Sequence, residues 1–173
     1  MKAAAFWKTV TKDRVDLLDR LTRLLESRGV RYCVIGGQGV NAYVDPLVSL
    51  DLDLAVAAGQ DASLRAALEG FLVRSFAHRL NVSAEGSDLR VQFQTDPRYA
   101  EFVARATPRE VLGRVLPVAS VEDVLQGKLW AAADDTRRPS KRQKDLADIA
   151  RLLEAYPHLR ARVPAEIRDR LVE

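Results

Sequence analysis

Apolar residues recur at helical spacing at Val15, Leu17, Leu18, Leu21, Leu24 and Leu25, with charges between them, until Gly29 interrupts the run. That spacing predicts an amphipathic helix opening after Thr11. Residues 31–36, RYCVIG, read as a short buried strand, because β-branched and aromatic side chains cluster there and glycines end them. A brief helix is expected over residues 38–44, with Pro46 ending it. In LDLDLAVA, residues 50–57, Leu50, Leu52 and Leu54 fall on one strand face and Asp51 and Asp53 on the other. DASLRAALEG reads as a helix with Asp61 near its start and Gly70 as its stop, and residues 71–76 as a strand. Past the loop SAEGSD, Leu89, Val91 and Phe93 alternate with Arg90, Gln92 and Gln94 in a second two-faced strand. EVLGRVLPV, residues 110–118, reads as one further strand, and Ser120 with Asp123 opens a helix in capping-box style that runs to about Ala133. Leu146, Ile149, Ala150 and Leu153 stripe another helix ending before Pro157, and a short one follows Pro164. Strands and helices mix first and helices alone come last, which predicts an α/β (α+β) fold: residues 1–118 as a sheet core with an N-terminal helix, and 119–173 as a helical part packed on it in one compact unit.

Composition narrows the class. With 173 residues, 47% of them hydrophobic, the chain suits one domain able to bury roughly 70% of its unfolded surface. Cys33 is the only cysteine and sits in an apolar run, so a buried thiol is expected; His78 and His158 are the only histidines, which leaves no cluster with zinc spacing. The start MKAAAFWKTV has a five-residue apolar run before Lys8, short of a signal-peptide core, and no stretch approaches a membrane span. A cytoplasmic protein with no membrane partner is the expectation. The net charge of +3 is unevenly spread: from Arg137 onward ten Lys/Arg face six Asp/Glu, leaving −1 on residues 1–136. Basicity is densest in RRPSKRQK, residues 137–144, which is either a solvated loop and helix start or a contact for phosphates.

The chemistry concentrates in residues 32–57. Two aspartates on one strand face have Cα atoms about 6.6 Å apart; two like charges that close raise one pKa unless something cationic answers them. A divalent metal suits such hard oxygen ligands. Glycines at the preceding strand-to-helix turn let backbone N–H groups approach a phosphate. Turn and carboxylates together would make a cradle for a triphosphate and its metal; the plainer reading is a tight turn beside a solvated strand face. Gly37, Gly39 and Ala42 also fit the G-x-G-x-x-A fingerprint of dinucleotide binding, but Pro46 cuts the helix short and both aspartates open their strand instead of following it.

Gly36-Gly37, a spacer and then Asp51-Leu52-Asp53 resembles the first signature of the DNA polymerase β-type nucleotidyltransferases. Residues 120–154, SVEDVLQGKLWAAADDTRRPSKRQKDLADIARLLE, are similar to the closing motifs of the AbiEii-type toxin nucleotidyltransferases: a helix carrying a lysine, a basic loop, then Lys-Asp-x-x-Asp-Ile. The resemblance implies a small mixed sheet flanked by helices and transfer of a nucleoside monophosphate from an NTP with Mg²⁺ or Mn²⁺. It implies a protein, a tRNA or a small molecule as acceptor, and an antitoxin-like protein as partner. By position, Gly36, Gly37, Gln38 and Ser49 would hold the nucleotide, Asp51 and Asp53 the metal, Lys128 the phosphate charge, and Asp145 or Asp148 would complete the site. Read without the resemblance, Lys128 is a helix lysine with its stem on apolar surface, and Asp145 and Asp148 are i,i+4 partners of Lys141 and Lys144.

Two positions depart from that pattern. Where the superfamily usually adds a third carboxylate, this chain has Gln92, whose carbonyl can ligate metal but brings no charge and no base. Asp88 and Asp96 share its face but lie four residues off, about 13 Å along a strand, so only a bulge would bring one in. Leu47 and Val48 stand where basic residues are commonly seen before the aspartates. Both departures leave open a binding module that keeps the fold without catalysis.

Overall fold

The computed structural model describes residues 3–13 and 16–172. Among them seven strands form one mixed sheet: β1 (Tyr32–Ile35), β2 (Asp51–Val56), β3 (Leu72–Phe76), β4 (Arg79–Ser83), β5 (Arg90–Gln94), β6 (Thr107–Val111) and β7 (Arg114–Val118), ordered β3-β4-β5-β2-β1-β7-β6. The β2–β5 and β1–β7 pairs are parallel and the others antiparallel. The helices are α1 (Ala3–Val10), α2 (Leu17–Ser27), α3 (Gly36–Asn41), α4 (Asp61–Ala67), α5 (Val121–Ala133), α6 (Pro139–Ala155) and α7 (Ala165–Arg168).

The two-residue alternation of the central strands sorts the core into two layers. Leu52, Leu54, Val91 and Phe93 join Leu80, Val82, α2 and α4 on one face. Cys33, Ile35 and Ala55 join α3, α5 and α6 on the other. Asp51 and Asp53 lie on this second face, at the start of β2, where they line an open cleft. β1 is buried on both faces, and burial pushes the Cys33 thiol up to about 12, with Asp123 adding to the effect. Thus Cys33 is an inert core side chain.

Several elements differ in detail from the sequence pattern. The helix expected after Thr11 begins at Leu17, because Lys12 and Asp16 adopt left-handed backbone (φ 49° and 52°) and the Asp13 carboxylate accepts from Leu17 N at 2.8 Å. Val15 of the predicted stripe lies outside the described residues. Thr11 instead closes α1, which the hydrophobic pattern did not single out because none of its residues is fully buried. The expected single strand over residues 110–118 is a hairpin, folded at Leu112 (φ 52°) and Gly113 (φ 76°), the paired positive φ values of a tight two-residue turn. β4 and the 3₁₀ segment Pro97–Arg105 are additions; Leu80 and Val82 alternate in the first, and Tyr99 and Phe102 are buried in the second. The capping box appears as expected, Ser120 Oγ accepting from Asp123 N at 3.2 Å. No helix among the described residues is long and apolar enough to cross a membrane.

Candidate active site

The end of β1 turns directly into α3 through Gly36, whose φ of +65° is open to glycine at little cost. A methyl group at Gly36 would lie 2.3 Å from Asp53 Oδ2. The turn and the carboxylate are therefore packed hand in glove, as Ile35↔Asp53 pairing in the β1–β2 ladder requires. Gly37, by contrast, has open space around its Cα. Gly36→Ala is expected to cost about 1–2 kcal/mol from left-handed backbone alone and to displace Asp53, whereas Gly37→Ala should leave stability nearly unchanged. Urea denaturation of the two variants side by side checks this contrast.

This corner opens into a cleft of about 540 Å³. Gly36, Gly37, Ser49, Asp51 and Asp53 form its floor; Arg79, Gln92, Gln94 and Tyr99 form one wall; Lys128, Asp134 and the start of α6 form the other. Parallel pairing of β2 with β5 sets Arg90 beside Asp51 and Gln92 beside Asp53. Gln92 thus occupies the neighbouring position on the carboxylate face, as its alternation predicts. Asp88 faces Lys12 at 3.5 Å, and Asp96 caps the 3₁₀ segment and pairs with Arg98 at 3.1 Å; neither lines the cleft.

The two aspartates are electrostatically unequal. Asp51 is paired with Arg90 at 2.7 Å and approached at 3.8 Å by Lys141 of the cleft lining. Asp53 has no ion-pair partner among the described residues. Burial pushes its carboxyl above the usual carboxylate range; Lys128 opposes this at a distance, while the Asp51 charge adds to it. The site thereby holds a buried acid with no ion-pair partner at contact distance, an arrangement that a cation would suit.

Lys128 is 6% exposed. Its ammonium lies 3.0 Å from Asp145 Oδ1 and 2.8 Å from Asp148 Oδ2. Burial works to lower its pKa, but Asp148 and then Asp145 outweigh it, so the pKa is raised and the charge is kept. Arg137 Nε adds a 2.6 Å contact to Asp145, and Arg151 Nη1 a 2.9 Å contact to Asp148. The i,i+4 pairs from Lys141 and Lys144 are therefore not what holds these acids; both point inward to Lys128. Asp145 reaches the cleft and Asp148 does not.

Gln38 and Ser49 divide in the same way. Ser49 lines the cleft and its Oγ accepts from Asp51 N at 3.2 Å, fixing the entry to β2. Gln38 is buried, donates to Ser49 O at 3.2 Å and lines a separate cavity, so it braces the loop rather than facing the cleft. Arg151 and Asn41 brace the same loop, Arg151 Nη2 donating to Asp45 O at 2.6 Å and Asn41 Nδ2 to Leu47 O at 2.7 Å. The basic segment does reach the site: Arg137, Arg138, Lys141 and Lys144 all line the cleft, while Leu47 and Val48 stay exposed outside it. Arg79, Gln94 and Tyr99 were not anticipated. The alternation that places Gln92 also places Gln94 two residues on, but Arg79 needed β4, and Tyr99 needed the Asp-Pro signal that starts its 3₁₀ segment.

A glycine turn over two strand carboxylates, faced by a helix lysine and a basic helix start, on a mixed sheet of this order, defines a nucleotidyltransferase fold. Solved structures agree on the fold. ANT(2")-Ia in complex with adenylyl-2"-tobramycin is similar at 19% identity and a TM-score of 0.58, over 91% of this chain and 98% of that one. The lincosamide antibiotic adenylyltransferase LnuA, lincomycin-bound, is similar at 15% identity and 0.53, over 78% and 95%. A nucleotidyltransferase-like protein from Paracoccidioides brasiliensis is similar at 20% and 0.51, over 86% and 75%. None of the curated proteins matches the sequence. Residues 43–172 match the family model described as nucleotidyl transferase AbiEii toxin of a type IV toxin–antitoxin system, and the chain belongs to that AbiEii nucleotidyltransferase family.

Proposed function

We propose that the protein transfers a nucleoside monophosphate from an NTP to an acceptor, using a divalent cation, Mg²⁺ or Mn²⁺, seated on Asp51 and Asp53. The observation that carries this is the fit of Asp53 against Gly36: a Cβ there would fill the corner in which a phosphate and its metal would meet the carboxylate. The donor set, two hard carboxylate oxygens on one strand face, suits Mg²⁺. Bound there, the cation would neutralise charge on the triphosphate and on the departing oxygen.

The chain's own groups supply the rest. Backbone N–H groups at Gly36 and Gly37, in the first turn of α3, would donate to the phosphates. Arg137, Arg138, Lys141 and Lys144 line the cleft and would set positive charge around a polyphosphate and a leaving pyrophosphate. Lys128, held by two aspartates, keeps its charge. Ser49 and the braced 45–49 loop keep the carboxylates in register, which matters because in-line transfer depends on placement. A tRNA or protein acceptor, a toxin role and an antitoxin-like partner follow from family membership and belong to the same proposal.

Incubation with each α-³²P-labelled NTP, Mg²⁺ and candidate acceptors tests it: label should pass to an acceptor, and Asp51→Asn with Asp53→Asn should stop it. A second reading rests on Gln92 and on the Arg90–Asp51 pair, which leave the site short of negative charge: a module that binds nucleic acid through α6 without transfer. Such binding should weaken steeply with salt, so a tRNA titration at two salt concentrations, together with absent transfer, distinguishes it.

A further inference from the structure

The row of β5 side chains beside the two carboxylates carries no negative charge. Arg90 lies against Asp51, Gln92 against Asp53 and Gln94 one step further, in unbroken parallel register. A two-metal site needs ions about 3.5–4 Å apart, bridged by shared carboxylates and held by a further ligand on the acceptor side. Here one of the two bridging acids is already drawn to a guanidinium at 2.7 Å, and the position facing the second ion is an amide. The other carboxylates lining the cleft are engaged elsewhere. Asp134 accepts from Thr136 N at 2.9 Å and from its hydroxyl at 2.7 Å. Asp145 is shared between Lys128 and Arg137. Arg79 stands on the same wall, two strands from Asp53, with its Nε buried and unpartnered among the described residues. A second divalent ion would enter between a guanidinium, an amide and this further guanidinium.

We propose that the cleft seats one divalent cation per chain, on Asp51 and Asp53 with the nucleotide, and that Gln92 closes the position a second would take. This rests on the nucleotidyl-transfer reading above. Gln92 is then the residue that sets metal stoichiometry, and changing one atom of its amide to oxygen restores a second seat.

Equilibrium dialysis counts this without any turnover. The chain is dialysed against Mn²⁺ and a saturating α,β-methylene NTP, each of the four in turn, and protein-bound Mn²⁺ is quantified by electron paramagnetic resonance. The wild type should hold one Mn²⁺, Gln92→Glu two with Mn–Mn broadening of the spectrum, and Gln92→Asn one. Gln92→Asp asks the same question with a shorter side chain, and circular dichroism confirms that the variants fold. Two Mn²⁺ in the wild type, or one in both folded acidic variants, overturns the proposal. No Mn²⁺ in the wild type, or one that persists in Asp53→Asn, overturns instead the nucleotide–metal reading on which it rests.

Discussion

Asp53→Asn is expected to lower the proposed nucleotidyl transfer by about 10³-fold and at the same time to make the protein harder to unfold at neutral pH. The two effects share one cause. The Asp53 carboxyl is pushed up by burial, and no cation among the described residues answers it at ion-pair distance. In the unfolded chain the group returns to its ordinary value of 3.8. Between that value and the raised one, the folded protein holds a proton that the unfolded chain has released. Stability is therefore full below the ordinary value and falls as pH rises through the raised one. Asparagine has no charge to desolvate, so it removes this slope, and scanning calorimetry from pH 4 to pH 8 would show the wild-type Tm falling relative to the variant. Parallel curves would sink the assignment of Asp53 as the acid that burial raises.

Lys128→Met is expected to be the most destabilising single change in the cleft, by about 3 kcal/mol, or roughly 6–12 °C in Tm for a chain of this size. The lysine is buried between two buried aspartates, and its removal leaves their charges, among the described residues, with Arg137 and Arg151 as ion-pair partners. Those two guanidiniums hold the loss toward the lower end of what breaking a buried pair costs. Adding Asp145→Asn and Asp148→Asn to Lys128→Met should recover part of it, because neutral amides cost less to bury unpaired. Urea midpoints of the single and triple variants check this; a triple variant weaker than the single one would show that the aspartates stabilise through something other than the lysine.

What the residues disclosed followed from periodicity. Alternation in LDLDLAVA put Asp51 and Asp53 on one face, and alternation in LRVQFQ put Gln92 on the matching face of its neighbour; both hold because a strand has a fixed two-residue repeat. The Ser120 cap and the Leu146–Leu153 stripe were legible for the same kind of local reason. The long-range pairings were not. Nothing near Lys128 in the chain says that it meets Asp145 and Asp148, since the local alternative, Lys141 and Lys144 one turn away, was chemically sound. Burial decided it: α6 turns its aspartates inward and its lysines toward the cleft. The Arg90–Asp51 pair also needed the parallel register of β2 and β5, which no local pattern encodes. Leu112 and Gly113 were hidden inside an apolar run because a buried leucine in left-handed backbone does not look like a turn.

The two halves of the cleft are written far apart in the chain: the glycine corner and its acids early, the lysine and the basic helix late. At ordinary translation speeds of about 5–20 residues per second, ribosomes would expose the first half some 5–20 s before residue 145 is made. During that interval a nascent chain has Asp51 and Asp53 without the full set of cations that line the cleft beside them. A chain cut short before α6 therefore has the glycine corner and its two acids without the basic groups of residues 137–144 that line the other side of the cleft.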